Sequence, residues 1–228
     1  MNLLCGSFAV VAALMYNDLT LAFWLIVAGI VFDFFDGFVA RLLHSSSAIG
    51  VQLDSLADVI TSGLAPAAVL WQVCLQTEPC WLPEAWKLGY GVFVLAAFSA
   101  LRLAKFNIDE TQTVEFCGLP TPAGSLLCAS LGMLWQQGAV ALSSDGVLLI
   151  AVLTSLLLVS PIRMFALKFH GFGWRGNEVR YLFLLASIVL IIILRTYAIP
   201  VIIVLYIVVS AVRWLCIRSG NPDKAPKA

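Results

Sequence analysis

Residues 33–58 read DFFDGFVARLLHSSSAIGVQLDSLAD, so four aspartates interrupt two otherwise apolar segments at Asp33, Asp36, Asp54 and Asp58. A charged side chain near the centre of a bilayer costs about 3 kcal/mol on insertion scales, and acidic groups kept in such segments usually serve a function. The structural alternative is a carboxylate at a helix end that pairs with an arginine or with water. For one such aspartate the alternative is as good as a functional role, but it does not explain four at regular spacing.

The spacing of these aspartates predicts that they share one site between two helices. At 100° per residue, Asp33 and Asp36 lie on one side of the first helix. Asp54 and Asp58 are four residues apart, so they lie on one stripe of the second helix. The turn at residues 42–48 lets these two faces meet near one surface of the membrane.

Carboxylates that converge in this way predict bound metal. Four acidic groups in a low-dielectric pocket repel one another unless they are protonated or bound to cations. Ligands that are all oxygen favour a hard divalent ion, and four carboxylates are enough to hold two ions. We therefore predict two divalent metal ions, Mg²⁺ or Mn²⁺, bound by Asp33, Asp36, Asp54 and Asp58.

The residues that follow Asp36 favour a phosphate ligand beside the metals. Gly37 and Ala40 share the helix face of the first two aspartates and have almost no side chain, so a bulky group can approach the backbone. Arg41 adds a fixed cation that can bind a phosphate through two hydrogen bonds. Metals, small residues and one arginine together predict a pyrophosphate site.

The whole chain has the composition of an integral membrane protein. Of its 228 residues 61% are hydrophobic and 11% are charged, whereas about a quarter of a soluble domain is charged. Runs of about 20 apolar residues between polar turns predict membrane-spanning helices. The predicted fold class is an all-α polytopic helix bundle of about six to eight transmembrane helices. The eight candidate spans lie near 3–16, 19–43, 48–76, 87–106, 121–142, 146–166, 178–195 and 198–216.

We predict a single transmembrane domain over residues 1–220, with a core at 1–168, an extra helical hairpin at 178–216 and a polar C-terminal tail at 221–228. The apolar start lacks a basic segment and a cleavage site, so we expect no cleavable signal peptide. The net charge of zero does not indicate nucleic-acid binding.

The six cysteines form no CxxC pair, so we expect buried apolar thiols rather than a metal site. Only Cys74 and Cys80, which flank a polar loop, could form a disulfide.

The basic residues predict the orientation of the chain in the membrane. If the N-terminus is cytoplasmic, eleven of the 13 Lys and Arg residues lie on the cytoplasmic side, and only Lys87 and Arg195 lie outside. An even number of spans agrees, because both termini then lie on the basic side. We expect a bacterial cytoplasmic (inner) membrane protein with its termini and active site on the cytoplasmic side.

Residues 33–58 carry the full signature D-x2-D-G-x2-A-R-x8-G-x3-D-x3-D, and the chain therefore resembles the CDP-alcohol phosphotransferases. The resemblance implies that the four aspartates bind two metals, that Gly37 and Arg41 bind the CDP pyrophosphate, and that Asp58 is the general base. It also implies that Ser47 and Asn2 line the nucleotide site. The residues predicted to bind CDP-diacylglycerol are Asn2, Gly37, Ala40, Arg41, Ser47 and Gly50.

The sequence around this motif resembles the phosphatidylserine synthases, which implies that L-serine is the acceptor. The resemblance covers about residues 2–124, and it lies in the stretches 53–58 (LDSLAD), 63–66 (GLAP), 101–107 (LRLAKFN) and 118–123 (GLPTPA).

A physical interpretation favours the same acceptor, because serine brings a carboxylate and an ammonium group. Arg102, Lys105 and Asn107 offer two cations and an amide at the cytoplasmic end of the fourth span. The alternative is that Arg102 and Lys105 only anchor the helix at the membrane surface.

The predicted reaction is attack by the serine hydroxyl on the diacylglycerol-side phosphorus of CDP-diacylglycerol, with CMP leaving and Asp58 accepting the proton. Another acceptor, such as glycerol 3-phosphate, inositol or a different alcohol, remains open. A cation or proton transporter is the alternative from another class, but it does not need the small residues and the arginine after Asp36. The expected partners are CDP-diacylglycerol, L-serine, membrane lipids and a second copy of the chain, and no nucleic acid.

Overall fold

The computed structural model describes residues 1–43, 47–81, 89–108, 115–165 and 177–220, and this part of the chain is almost entirely helical. The predicted tail at 221–228 lies outside the described residues. The α-helices are α1 (Asn2–Leu14), α2 (Leu19–Leu42), α3 (Ala48–Asp58), α4 (Ala65–Gln76), α5 (Val94–Ile108), α6 (Thr121–Gln136), α7 (Ser144–Leu158), α8 (Glu178–Leu194) and α9 (Ala198–Gly220). A π-helical turn, Val59–Leu64, joins α3 to α4, and 3-10 turns occur at Gly89–Phe93 and Arg195–Tyr197.

Four stretches of the described chain are long and apolar enough to cross a membrane, which confirms a polytopic helical membrane protein. They are Leu19–Val39, Ile49–Gln76, Gly89–Ile108 and Glu178–Cys216. The last is divided into α8 and α9 at Arg195, whose φ is 49°. Two further apolar helices, α1 and α7, are shorter. The number of eight spans stays a prediction.

Helix α4, which follows the aspartates of α3 in the same candidate span, lies at the centre of the bundle. In the stretch Ile49–Gln76, 61% of the most apolar window is buried, against 28% or less in the other three stretches. Small buried residues such as Ala65, Ala67 and Ala68 let α4 pack closely against α1, α6 and α7. Helices α8 and α9 form the C-terminal hairpin. Only 17% of the most apolar part of this hairpin is buried, so most of its surface faces lipid.

Two helices end earlier than the hydropathy predicts. Helix α6 ends at Gln136 rather than at 142, because Gly138 takes a positive φ of 69° and the N–H of Ala139 bonds to the carbonyl of Leu134. Helix α7 ends at Leu158 rather than at 166, ahead of Pro161, which cannot donate a helical hydrogen bond.

The residues after α7 form a short strand that the sequence did not predict. Strand β2 (Arg163–Phe165) pairs antiparallel with β1 (Glu115–Cys117). Between β1 and α6, Gly118 has a φ of 78°, and a Cβ at this position would collide with the carbonyl oxygen of Leu158. The chain can therefore pass this close to the end of α7 only with a glycine there.

The possible disulfide between Cys74 and Cys80 is not formed, because both residues have free thiols. Cys74 is buried and its thiol donates to the carbonyl of Ser144 at 3.7 Å, whereas Cys80 is exposed. Only Cys74 and Cys128 are buried, so the expectation of buried thiols was wrong for Cys80, Cys117 and Cys216, which are exposed.

Candidate active site

Three of the four predicted carboxylates meet at the end of the α2–α3 pair. Carboxylate oxygens of Asp33, Asp36 and Asp54 all lie within 4.8 Å of one another. Asp33 is partly buried, while Asp36 and Asp54 are exposed, so the cluster has one closed side and one open side. The in-phase spacing of the aspartates along α2 and α3 produces this arrangement, because it turns both acidic faces towards each other.

Asn2 connects the fourth aspartate to this cluster. Its amide nitrogen donates one hydrogen bond to Oδ1 of Asp33 at 3.0 Å and one to Oδ1 of Asp58 at 2.9 Å. Asn2 is 3% exposed, and both of its N–H groups are used in these two bonds. The predicted role of Asn2 was contact with the nucleotide, whereas the described contacts are with the carboxylates.

The cluster has the chemistry and the spacing that a hard divalent cation needs. Two oxygen ligands of one such ion stand roughly 3 to 4 Å apart, because metal–oxygen distances are about 2.1 Å for Mg²⁺. The oxygens of Asp33, Asp36 and Asp54 lie within 4.8 Å of one another, so small side-chain rotations bring them to that spacing. The donor set is all oxygen and negatively charged, which favours Mg²⁺ or Mn²⁺ over softer ions.

The helix backbone beside Asp36 is accessible. Among the described residues, a Cβ added to Gly37 would meet no atom within 4 Å, so a ligand can approach α2 there. The side chains of Ala40 and Arg41 lie outside the described part of the structure, and their predicted contacts with CDP-diacylglycerol stay predictions.

Ser47 starts α3 as its N-cap. Its Oγ accepts a hydrogen bond from the N–H of Gly50 at 3.0 Å, a contact that contributes about 1 kcal/mol to helix stability. A Cβ added to Gly50 would lie 3.1 Å from the same Oγ, so a larger residue would crowd the cap. Capping leaves the hydroxyl proton of Ser47 able to donate to a ligand.

Arg102 lies inside the bundle rather than at its surface. It is 8% exposed, and its Nη1 donates to Oγ1 of Thr121 on α6 at 2.6 Å. The guanidinium lies 5.9 Å from the centroid of the Phe106 ring and interacts electrostatically with Asp58. Its Nε is buried without a hydrogen-bond partner among the described residues. A membrane anchor would have its charged group at the lipid–water surface.

The other two predicted acceptor residues differ in their surroundings. Asn107 donates from its amide to Oγ of Ser55 at 2.8 Å, which ties the end of α5 to α3 between the two aspartates Asp54 and Asp58. Lys105 is exposed. The structure therefore brings Arg102 and Asn107 to the neighbourhood of the carboxylates, while Lys105 lies on the surface of α5.

Sequence reasoning gave no role to Thr121, which binds Arg102, or to Thr61, whose hydroxyl donates to the backbone carbonyl of Asn2 at 3.1 Å. Both threonines are fully buried. A hydroxyl in an apolar span is a weak signal, since threonine is common in helices that only need to be packed closely.

The model of the CDP-alcohol phosphatidyltransferase family matches residues 1–160 of this chain, including all four aspartates. The chain belongs to this family. Members of the CDP-alcohol phosphatidyltransferase family are transferases, and the site described above is the part of the chain that carries the family signature. The match ends before the hairpin of α8 and α9.

Three relatives are named CDP-diacylglycerol–serine O-phosphatidyltransferase. The protein of Bacillus subtilis is 32% identical over 170 residues, covering 75% of this chain and 88% of the relative. The protein of Helicobacter pylori (strain 26695) is 31% identical over 200 residues, covering 86% of this chain and 80% of the relative. The protein of Mycobacterium tuberculosis (strain H37Rv) is 32% identical over 241 residues, covering 98% of this chain and 81% of the relative. This similarity therefore extends through the C-terminal hairpin of α8 and α9.

Proposed function

We propose that this protein transfers the phosphatidyl group of CDP-diacylglycerol to L-serine, giving phosphatidylserine and CMP as a step in phospholipid synthesis. The observation that carries the proposal is the acidic cluster of Asp33, Asp36 and Asp54, to which Asp58 is joined through Asn2. The names of the relatives support serine as the acceptor.

The four aspartates would hold two divalent ions, Mg²⁺ or Mn²⁺. When bound, such ions neutralise charge on the pyrophosphate and stabilise the leaving CMP. The protein itself supplies a fixed set of oxygen ligands and an open approach along Gly37, over which the pyrophosphate would lie. Ala40, Arg41, Ser47 and Gly50 are proposed to complete the binding surface for CDP-diacylglycerol.

Asp58 is proposed to be the general base. In the reaction, the serine Oγ forms a bond to the phosphorus of the phosphatidyl group, and the bond from that phosphorus to the CMP oxygen breaks. The hydroxyl proton passes to the carboxylate of Asp58, and CMP leaves with the electron pair of the broken bond. The bond from Asn2 holds one oxygen of Asp58 in place, which supports this role because a base must keep a fixed position.

Arg102 is proposed to bind the carboxylate of serine. Its burial and its electrostatic interaction with Asp58 support this role over membrane anchoring. The unpartnered Nε is a donor that a carboxylate could accept from, next to the nitrogen that is already bonded to Thr121. Asn107 and Lys105 are proposed to assist, with Asn107 held against Ser55.

A mixed-acceptor assay tests the proposal. Purified protein in detergent receives labelled CDP-diacylglycerol, Mn²⁺ or Mg²⁺, and serine, glycerol 3-phosphate and inositol together. We expect phosphatidylserine and stoichiometric CMP as the products. If glycerol 3-phosphate or inositol is the preferred acceptor, serine is the wrong substrate. If no alcohol releases CMP, the phosphatidyl-transfer reaction itself is contradicted.

We further propose that the protein lies in a bacterial cytoplasmic membrane with its active site on the cytoplasmic side, where CDP-diacylglycerol and serine meet. The bias of eleven basic residues against two supports this orientation. A homodimer remains our expectation, and the mass of the detergent-solubilised protein measured by light scattering tests it.

A further inference from the structure

A π-helical turn directly follows the proposed base. Residues Val59–Leu64 continue the helix that ends at Asp58, and Thr61, Ser62 and Gly63 within this turn are buried. A π-turn contains one extra residue, so it shifts the residues after it by about 100° around the helix axis. Such turns are uncommon, and they occur frequently at functional sites. The turn therefore sets how Asp58 is oriented relative to the rest of the central helix.

Thr61 is enclosed in this turn by glycines of two other helices. A Cβ added to Gly6 of α1 would collide with Oγ1 and Cα of Thr61. A Cβ added to Gly29 of α2 would lie 2.6 Å from the methyl carbon of Thr61 and 3.2 Å from Oδ1 of Asn2. The two glycines thus let α1 and α2 approach the turn closely, and Thr61 is completely buried between them.

The hydroxyl of Thr61 connects this contact to the carboxylates. It donates to the backbone carbonyl of Asn2 at 3.1 Å, and the amide of Asn2 donates to Asp33 and Asp58. Asn2 is in the first turn of α1, where a helix is held by the fewest hydrogen bonds. An added bond to the carbonyl of this residue limits the movement of its side chain.

We propose that Thr61 is a positioning residue, which holds Asn2 so that one amide sets the distance between a proposed metal ligand, Asp33, and the proposed base, Asp58. The inference rests on the proposed function of these two aspartates. Thr61 itself does not touch them in the described contacts, and it acts through Asn2.

The variant Thr61→Val tests this role, since it keeps the shape of the side chain and removes the hydroxyl. We expect kcat and the affinity for Mn²⁺ each to fall about tenfold or more, as is typical when a group that orients a metal ligand is lost. The KM for CDP-diacylglycerol should change little. Thr61→Ser keeps the hydroxyl and should restore most of both losses. The affinity for Mn²⁺ is measured by electron paramagnetic resonance without substrate.

The control is Thr154→Val. Thr154 is also a buried threonine, 2% exposed, but it lies on α7 and accepts a weak bond from the thiol of Cys128. The Thr154→Val variant should have a lower melting temperature but an unchanged kcat and an unchanged affinity for Mn²⁺. In an Asn2→Ala background, Thr61→Val should have no further effect on kcat, because the amide through which it acts is gone.

Wild-type kcat and Mn²⁺ affinity in Thr61→Val would overturn the inference, and so would a Thr61→Ser variant as impaired as Thr61→Val. If Thr61→Val is not recovered folded, Thr61→Ser and Thr61→Ala make the same comparison, since both lack the methyl group and only one keeps the hydroxyl. A wild-type protein that binds no Mn²⁺ contradicts the proposed function instead.

Discussion

Asn2 is an uncharged donor placed between two acids. Its amide nitrogen bonds to both Asp33 and Asp58 while it adds no positive charge that would compete with a metal ion. A lysine in the same place would neutralise one carboxylate and weaken its affinity for a cation. An alanine would leave two half-buried carboxylates without this donor. An amide therefore suits the proposed metal site, whose carboxylates have to stay negative until an ion binds.

Replacing single carboxylates tests the metal site. Asp36→Asn and Asp54→Asn keep the shape of the side chain and remove one charged ligand each, so turnover should fall more than about 100-fold, with weaker binding of Mn²⁺. The control is Asp18→Asn. Asp18 accepts a bond from the N–H of Leu21 at the start of α2, and asparagine caps a helix equally well. Full turnover of the wild type in excess EDTA would contradict a metal-dependent reaction.

Replacing Arg102 tests the choice of acceptor. A buried site that binds a carboxylate rejects an analogue without it, because its own polar groups are then left unpaired. Ethanolamine, which is serine without the carboxylate, should be a very poor acceptor for the wild type. Arg102→Ala should raise the KM for serine more than about tenfold and reduce the preference for serine over ethanolamine.

The matched control for this variant is Arg180→Ala, since Arg180 is 9% exposed and Arg102 is 8% exposed. It removes a similarly buried guanidinium on α8, where Nη1 of Arg180 bonds to Asn177. We expect its preference between the two acceptors to equal that of the wild type. An unchanged preference in Arg102→Ala would indicate that Arg102 has only a structural role.

At the site, the sequence predicted which residue types meet but not how they are connected. The repeat of acidic residues along α2 and α3 was sufficient to predict the cluster of Asp33, Asp36 and Asp54. The two hydrogen bonds from the amide of Asn2 could not be predicted, because they depend on how closely α1 packs against both helices. The burial of Arg102 depends in the same way on the packing of α5 against α6.

At the level of the elements, apolar runs predicted where helices lie, and local geometry decided where they end. Helix α2 was predicted at 19–43 and extends over Leu19–Leu42. The break in the third span into α3, the π-turn and α4 leaves no trace in hydropathy, because an extra residue in one turn does not change the composition. Gly138 and Pro161 are signals that would have corrected the ends of α6 and α7.

Acid titration tests how α4 and α7 are joined. The backbone N–H groups of Cys80 and Trp81 donate to the carboxylate of Asp145 at 3.0 and 2.9 Å. These hydrogen bonds lower the pKa of Asp145, and the bond from Cys80 has the largest effect. A carboxylate with a lowered folded-state pKa stabilises the fold above its usual pKa of about 3.9. This contribution is lost as the pH falls through the lower folded-state value.

The Asp145→Asn variant should therefore melt at a lower temperature than the wild type at pH 7, and the difference should shrink as the pH falls below about 4. Melting curves in detergent over a pH series measure it. The variant should keep its affinity for Mn²⁺, because Asp145 lies outside the carboxylate cluster. A difference in melting temperature that does not depend on pH would contradict the role of the charge.

At the level of the whole molecule, burial is graded from the centre of the bundle to its outer surface. The stretch Ile49–Gln76 is the most buried of the four candidate spans because of its second half, α4, and the hairpin of α8 and α9 is the least buried. Side chains such as Leu182 and Ile192 are 66% and 72% exposed, which is unfavourable in water and favourable in lipid. Helix α4 is thus held by protein contacts, while the hairpin presents its surface to the bilayer.

The orientation in the membrane can be tested with the exposed cysteines of the chain itself. If the N-terminus is cytoplasmic, the loop after α4 with Cys80 lies outside, whereas Cys117 between α5 and α6 and Cys216 near the end of α9 lie inside. All three side chains are exposed, while Cys128 is completely buried. Variants that keep one of these cysteines and have serine at the other five positions separate the signals.

A membrane-impermeant maleimide applied to intact cells should label the variant that keeps Cys80 and leave those with Cys117 and Cys216 unlabelled. After permeabilisation all three should react, because each side chain lies on the surface of the fold at or beyond the end of a candidate span. The variant with Cys128 is the control and should react only after denaturation. The carboxylates share the end of the bundle where α2 meets α3, which is the side opposite the loop with Cys80 when each intervening helix crosses the bilayer once. Labelling of Cys216 in intact cells would therefore place the carboxylates on the outer side and contradict a reaction that uses cytoplasmic serine.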